Sequence, residues 1–161
     1  MSLCAQTNDY AVLNINRFFN APIERVFAAW SNADLLANWF GPPGFTVLEA
    51  EVNLTVGDKY LIVLQSPDGL EIKHYGECVE ISFPDKLSFT WVLEDQACWG
   101  SVSQSANTLL SINFKIVENG TEIELTHENF PNKEAFDGHS FGWTNSLDCL
   151  EDLFPAAQFQ V

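Results

Sequence analysis

The chain has 161 residues and a formal charge of −15, from 7 Lys and Arg against 22 Asp and Glu. Non-specific affinity for nucleic acid comes from basic side chains that neutralise phosphates, so DNA, RNA and anionic membrane surfaces are not expected as partners. With 47% hydrophobic and 13% aromatic residues the chain has too much apolar side chain to remain a solvated coil, and its length suits one folded domain.

Residues 1–8 lack the basic and apolar stretches of a secretory signal, and 1–9 read as a flexible N-terminus before a single domain at 10–155 and a tail at 156–161. Residues 10–19 alternate as a strand. Asn20 or Ala21 then caps a helix over 22–30, with Pro22 near its first position and Ile23, Val26, Phe27 and Trp30 on one face. Ser31 or Asn32 caps a second short helix through Leu36 and Trp39, stopped by Gly41-Pro42-Pro43-Gly44.

From Phe45 the period becomes two. Strands are expected over 45–54, 59–65, 71–81, 87–93, 109–117 and 121–130, separated by turn-forming segments such as Ser66-Pro67-Asp68-Gly69 and Phe83-Pro84-Asp85. Asn119-Gly120 suits a type I′ hairpin, and residues 94–108, polar and small, read as a mobile loop. The last element is a helix over 132–154, closed by Pro155, with Phe136, Ser140, Trp143, Leu147, Leu150 and Phe154 in one stripe. Gly138 and Gly142 weaken it, which points to close packing or a bend at those positions.

This order defines an α+β domain in which a seven-stranded antiparallel sheet must cover its apolar face with the long C-terminal helix. A twisted sheet curled around one helix seldom closes completely, and the gap is the natural place for a ligand.

The residues also carry a family resemblance. Phe18 with Ala21-Pro22, Glu24, Val26, Phe27 and Trp30, then Trp39-Phe40-Gly41-Pro42, resemble the opening of the START-like (SRPBCC) superfamily, in the branch related to the C-terminal domain of the activator of Hsp90 ATPase. Val56-Gly57-Asp58-Lys59-Tyr60, Gly76-Glu77-Cys78, Leu87-Ser88-Phe89-Thr90-Trp91, Glu124-Leu125-Thr126-His127, and His139 with Gly142-Trp143 agree, and the likeness spans about residues 12–154. It implies the helix-grip (Bet v 1-like) fold, a curved sheet wrapped around the C-terminal helix and a hydrophobic cavity. Asp58 stands where the family often has a second Gly. The large N-terminal domain through which the eukaryotic co-chaperone contacts Hsp90 has no counterpart in these residues, so co-chaperone activity does not carry over directly.

Strand parity then sorts the candidate cavity residues. Leu87, Phe89 and Trp91 share one face, as do Ile112 and Phe114 in the next strand and Leu125 and His127 in the last. Tyr75, Glu77, Val79 and Ile81 share a parity that aims Glu77 inward and His74 outward. Trp39 and Phe40 from the segment after the second helix, and Phe136, Ser140, Trp143 and Leu147 from the last helix, complete the expected lining.

A buried Glu77 and His127 could transfer protons, or could simply orient a ligand. A metal held by His127, His139 and a carboxylate lacks ligand spacing. Cys4, Cys78, Cys98 and Cys149 form no Cys-x-x-Cys pair, which suits free thiols in a cytoplasmic protein. No nucleophile, phosphate-loop or dinucleotide motif is present, so no metal or cofactor is expected. The leading expectation is a monomeric or homodimeric protein that binds an apolar or aromatic small molecule. The alternatives are an interaction module for an Hsp90-type chaperone and a hydrolase- or cyclase-like cavity enzyme using Glu77 and His127.

Overall fold

The structure is a computed structural model and describes residues 12–52, 55–93, 106–130 and 133–154. Its elements run β1 (Val12–Phe19), α1 (Ile23–Ser31), α2 (Ala33–Leu36), β2 (Thr46–Glu51), β3 (Lys59–Gln65), β4 (Glu71–Ser82), β5 (Lys86–Leu93), β6 (Ala106–Val117), β7 (Gly120–Glu128) and α3 (Lys133–Glu151). The seven strands form one antiparallel sheet in the order β1-β7-β6-β5-β4-β3-β2. The element order is that of the α+β helix-grip fold, with the two short helices after β1 and the long helix at the C-terminus. The N-terminal segment, most of the 94–108 loop, Cys4, Cys98, Pro155 and the C-terminal tail lie outside the described residues.

Pro22 itself occupies the cap position of α1, in extended conformation, rather than the first helical turn. The next cap is Asn32, whose side chain accepts from the Asp34 and Leu35 amides at 2.9 and 3.1 Å. The last hairpin differs from expectation in its central residues: Val117 pairs with Gly120, so Glu118 and Asn119 make the turn and Glu118 takes the positive φ of 52°. Gly120 belongs to β7, where a Cβ would collide with the Phe19 carbonyl oxygen.

The sheet bends along β4, where the strand changes partner and slips in register. Residues Glu71 to Glu77 pair with β3, whereas Cys78 to Ser82 pair with β5, and the register slips between Cys78 and Glu80. At the bend, Gly76 lies so close to Thr90 that a Cβ would overlap the Thr90 carbonyl oxygen. The Tyr60 hydroxyl donates to that same oxygen at 2.6 Å, and the Glu77 amide donates to the Thr90 hydroxyl at 2.9 Å.

The slip at Val79 reverses side-chain parity, because one extra residue flips everything beyond it to the other face. Ile81 does pack against the core, but before the slip the buried residues are Ile72, His74 and Cys78. Glu77 is exposed, Val79 is 46% exposed and Tyr75 is only half-buried. The expected inward Glu77 and outward His74 are therefore exchanged.

On α3 the buried residues are Ala135, His139, Trp143, Ser146, Leu147 and Leu150. The expected stripe holds from Trp143 onward. In the first turns it is rotated by one residue, so that Phe136 and Ser140 sit half-buried on its flank. The helix makes its main approach to the edge strand β1, where Arg17 bridges Asp148 and Glu151 at 2.8 and 3.1 Å.

Candidate functional site

Because α3 leans on β1, its N-terminal half stands away from the far side of the sheet. The space left there is a pocket of about 660 Å³. Its wall has three sources. The turn after α2 gives Phe40, Gly41, Pro42 and Phe45, while Leu64, Ile72, His74 and Trp91 come from β3, β4 and β5. The helix contributes Glu134, Asp137, Gly138, His139, Phe141, Gly142, Trp143 and Ser146.

These helical positions recur every three or four residues, on a face adjacent to the one that enters the core. A Cβ on Gly142 would meet nothing within 4 Å. That glycine therefore neither packs closely against a neighbour nor is needed to relieve one; it leaves volume open.

Of the residues expected to line a cavity, Phe40, Trp91 and Trp143 face this pocket. Together with Phe89 they also border a second void of about 20 Å³. Trp39, Ile112, Phe114, Leu125, His127 and Leu147 are buried but border neither space. Where they sit, large side chains fill the interior: Phe27 meets Phe114 at 5.1 Å between ring centres, and Trp39 meets Trp30 edge-to-face at 4.7 Å while donating its indole N–H to the Ala29 carbonyl at 2.9 Å.

Behind the pocket wall lies a chain of hydrogen bonds whose protons are fixed by the donors that have no choice. The Trp143 indole N–H donates to His127 Nδ1 at 3.1 Å, so this nitrogen is bare and the ring proton is on Nε2. Nε2 lies 2.6 Å from the Thr108 hydroxyl, which donates onward to the Trp91 carbonyl at 2.7 Å. The Trp91 indole donates to His139 Nε2 at 3.2 Å, which leaves the His139 proton on Nδ1, aimed at the Ala135 carbonyl at 2.8 Å. Each imidazole thus accepts from one tryptophan and gives its single proton away.

Burial keeps these rings neutral. It pushes His74 down to about 3, with repulsion from His139 adding to the effect. It lowers His139 to about 4 against the opposing bond to the Ala135 carbonyl, and it holds His127 well below the usual imidazole range with smaller contributions from His139 and His74.

This arrangement removes two chemical readings. Glu77 is exposed on the solvent face of β4 while His127 is fully buried, so the two do not form an acid–base pair. The His127 and His139 rings are 5.1 Å apart, and their nitrogens are engaged by tryptophan, threonine and backbone rather than turned toward a shared metal position. Among the described residues no group of three or more His, Cys, Asp or Glu side chains could hold a metal ion, and no helix is long and apolar enough to cross a membrane.

A curved antiparallel sheet gripping a C-terminal helix over an apolar pocket defines a START-like domain. Within that class, the family described as activator of Hsp90 ATPase homolog 1-like protein matches residues 20–155, and the chain belongs to it. Solved structures agree on the fold. A protein from Chromobacterium violaceum has 23% identity and a TM-score of 0.77, over 89% of this chain and 96% of that one. The AHSA1 protein from Silicibacter pomeroyi has 25% identity and a TM-score of 0.77 over the same shares, and a protein from Nitrosomonas europaea has 21% identity and 0.75 over 91% and 96%. Comparison with curated proteins gives no match.

The sequence reading missed His74, Gly142, Ser146 and the Leu64–Ile72 wall. A helical period starting at Glu134 and running through Gly138, Phe141 and Gly142 to Ser146 is visible in the sequence, but hydropathy does not mark it, since a pocket is built partly from side chains that are missing.

Proposed function

We propose that the protein binds a small apolar or aromatic molecule in the pocket between the first half of α3 and β3–β4. The observation that carries this reading is the volume of about 660 Å³ walled by Phe40, Phe45, Leu64, Ile72, Trp91 and Trp143. Pockets for small ligands fall in the range of about 300–1,000 Å³ and are mostly apolar. Three polar groups of the wall are taken up in holding it: the two indole N–H groups donate to histidines, and the Gly41 amide donates to Ser146 Oγ at 3.0 Å.

Calorimetric titration with 2-(2-naphthyl)ethanol, a neutral aromatic probe, tests it. Saturable binding with one site per chain is expected, and Gly142→Leu should abolish it while preserving the circular dichroism spectrum, since the new side chain enters open space. Absence of binding, or binding indifferent to Gly142→Leu, would overturn the assignment. The family description supports an alternative partner, an Hsp90-type chaperone. Stimulation of an Hsp90 ATPase that persists in Gly142→Leu would favour that partner over a pocket ligand.

A further inference from the structure

The charge distribution of the pocket narrows the class of its occupant. Glu134, Asp137 and Phe141 line the pocket yet are exposed, whereas Trp91, Trp143 and Phe40 are buried, so the two carboxylates mark the mouth and the aromatic rings the interior. No Lys or Arg is among the lining residues. Lys133, 75% exposed in its side chain, pairs with Asp137 at 2.9 Å one helical turn away. Glu134 has no ion pair among the described residues.

Inside, an anion would meet no positive charge, since the buried histidines of the wall are neutral. The indole N–H groups of Trp91 and Trp143 are committed to His139 and His127, and the Gly41 amide to Ser146. Burying a carboxylate with no cation to pair it is strongly unfavourable. A cation fares differently, because an ammonium at the mouth would lie beside the Glu134 and Asp137 carboxylates. The overall charge of −15 also raises the local concentration of cations at any acidic mouth.

We propose that the occupant is an aryl-alkyl amine, bound with its ring against Trp91 and Trp143 and its ammonium at the mouth beside Glu134 and Asp137. This rests on the pocket-binding reading above. The pocket selects for a positive charge at one end of an aromatic ligand and against a negative charge anywhere in it.

Three probes with the same ring and nearly the same length separate the two levels of the argument: 2-(2-naphthyl)ethylamine, 2-(2-naphthyl)ethanol and 2-naphthylacetate, titrated at low and high salt. The amine is expected to bind about three- to tenfold more tightly than the alcohol at low salt, the advantage shrinking as salt screens the exposed carboxylates. The acetate is expected to bind more weakly than the alcohol. Glu134→Gln, which leaves the Lys133–Asp137 pair in place, should lower amine affinity and leave alcohol affinity unchanged, and adding Asp137→Asn should bring the two to parity. Equal affinity of amine and alcohol in the parent protein, or tighter binding of the acetate, would overturn the charge selection while the pocket reading stands. Failure of all three probes to bind would overturn both.

Discussion

The two halves of α3 lie against the same sheet and do opposite things. From Leu147 onward the helix and the turn after it send Leu147 and Leu150, both fully buried, and Phe154 into a filled interior, where Phe154 meets Phe19 edge-on at 6.3 Å and lies under Arg25. From Glu134 to Gly142 it presents two glycines, a neutral histidine and two carboxylates to open space. The difference is one of side-chain volume and helix lean rather than of secondary structure: the filled half is drawn to β1, and the hollow half is left over. On the proposed reading, stability and binding fall to different turns of one helix.

Acid should break the contrast most strongly, because the three neutral histidines sit along its border. Each has a folded-state value below its ordinary value of 6.5. Below pH 6.5 the unfolded chain takes up protons that the folded chain declines, so their contribution is complete above that pH. It is lost as pH falls toward about 4 for His139 and about 3 for His74. Each uncompensated proton is worth about 1.4 kcal/mol per pH unit, so the three together cost about 4 kcal/mol per unit. Urea unfolding at pH 7, 6 and 5 should show a steeply falling midpoint, and His139→Gln should reduce the slope by about one proton. A midpoint flat from pH 7 to 5 would contradict the neutral network.

Within the filled half, Leu150→Ala should cost about 2–5 kcal/mol, the usual range for a buried leucine left as a cavity. The effect on binding of the naphthyl alcohol should be small, since Leu150 does not line the pocket. Loss of binding in proportion to loss of stability would show that the two halves are not separable.

The smallest effect has the opposite sign. Gly142→Ala places a methyl group in open space within a helix, and should stabilise the protein by up to about 1 kcal/mol while trimming the pocket. A thermal melt that shows destabilisation instead would mean that this glycine serves the backbone rather than the volume. The expected trade, greater stability for a smaller pocket, is the usual signature of a position kept for function.

The fold was legible because every element has a strong local signal: alternation in the strands, Asn32 as a cap, a proline–glycine stop at 41–44, and one long apolar stripe ending in Phe154. The site was much less so. Strict alternation along β4 groups Tyr75 and Glu77 with Val79 and Ile81, but a single slip in register between Cys78 and Glu80 leaves Glu77 exposed and turns His74 inward. On α3 the apolar spacing points to Phe136 and Ser140, whereas a small residue, Ala135, and a tryptophan-bonded imidazole, His139, pack there more deeply. Ile112, Phe114 and Leu125 face inward, as alternation predicts, but inward is not the same as facing a cavity. Which of two buried faces is filled depends on the lean of the helix, and no local pattern encodes it.

The bonds from Trp91 and Trp143 to neutral imidazoles have an optical consequence. An indole whose N–H rests on an uncharged imidazole emits differently from one beside an imidazolium, and both of these indoles also form the pocket wall. The interior therefore carries its own pair of chromophores, sensitive at once to proton uptake by His127 and His139 and to whatever displaces water from the cavity.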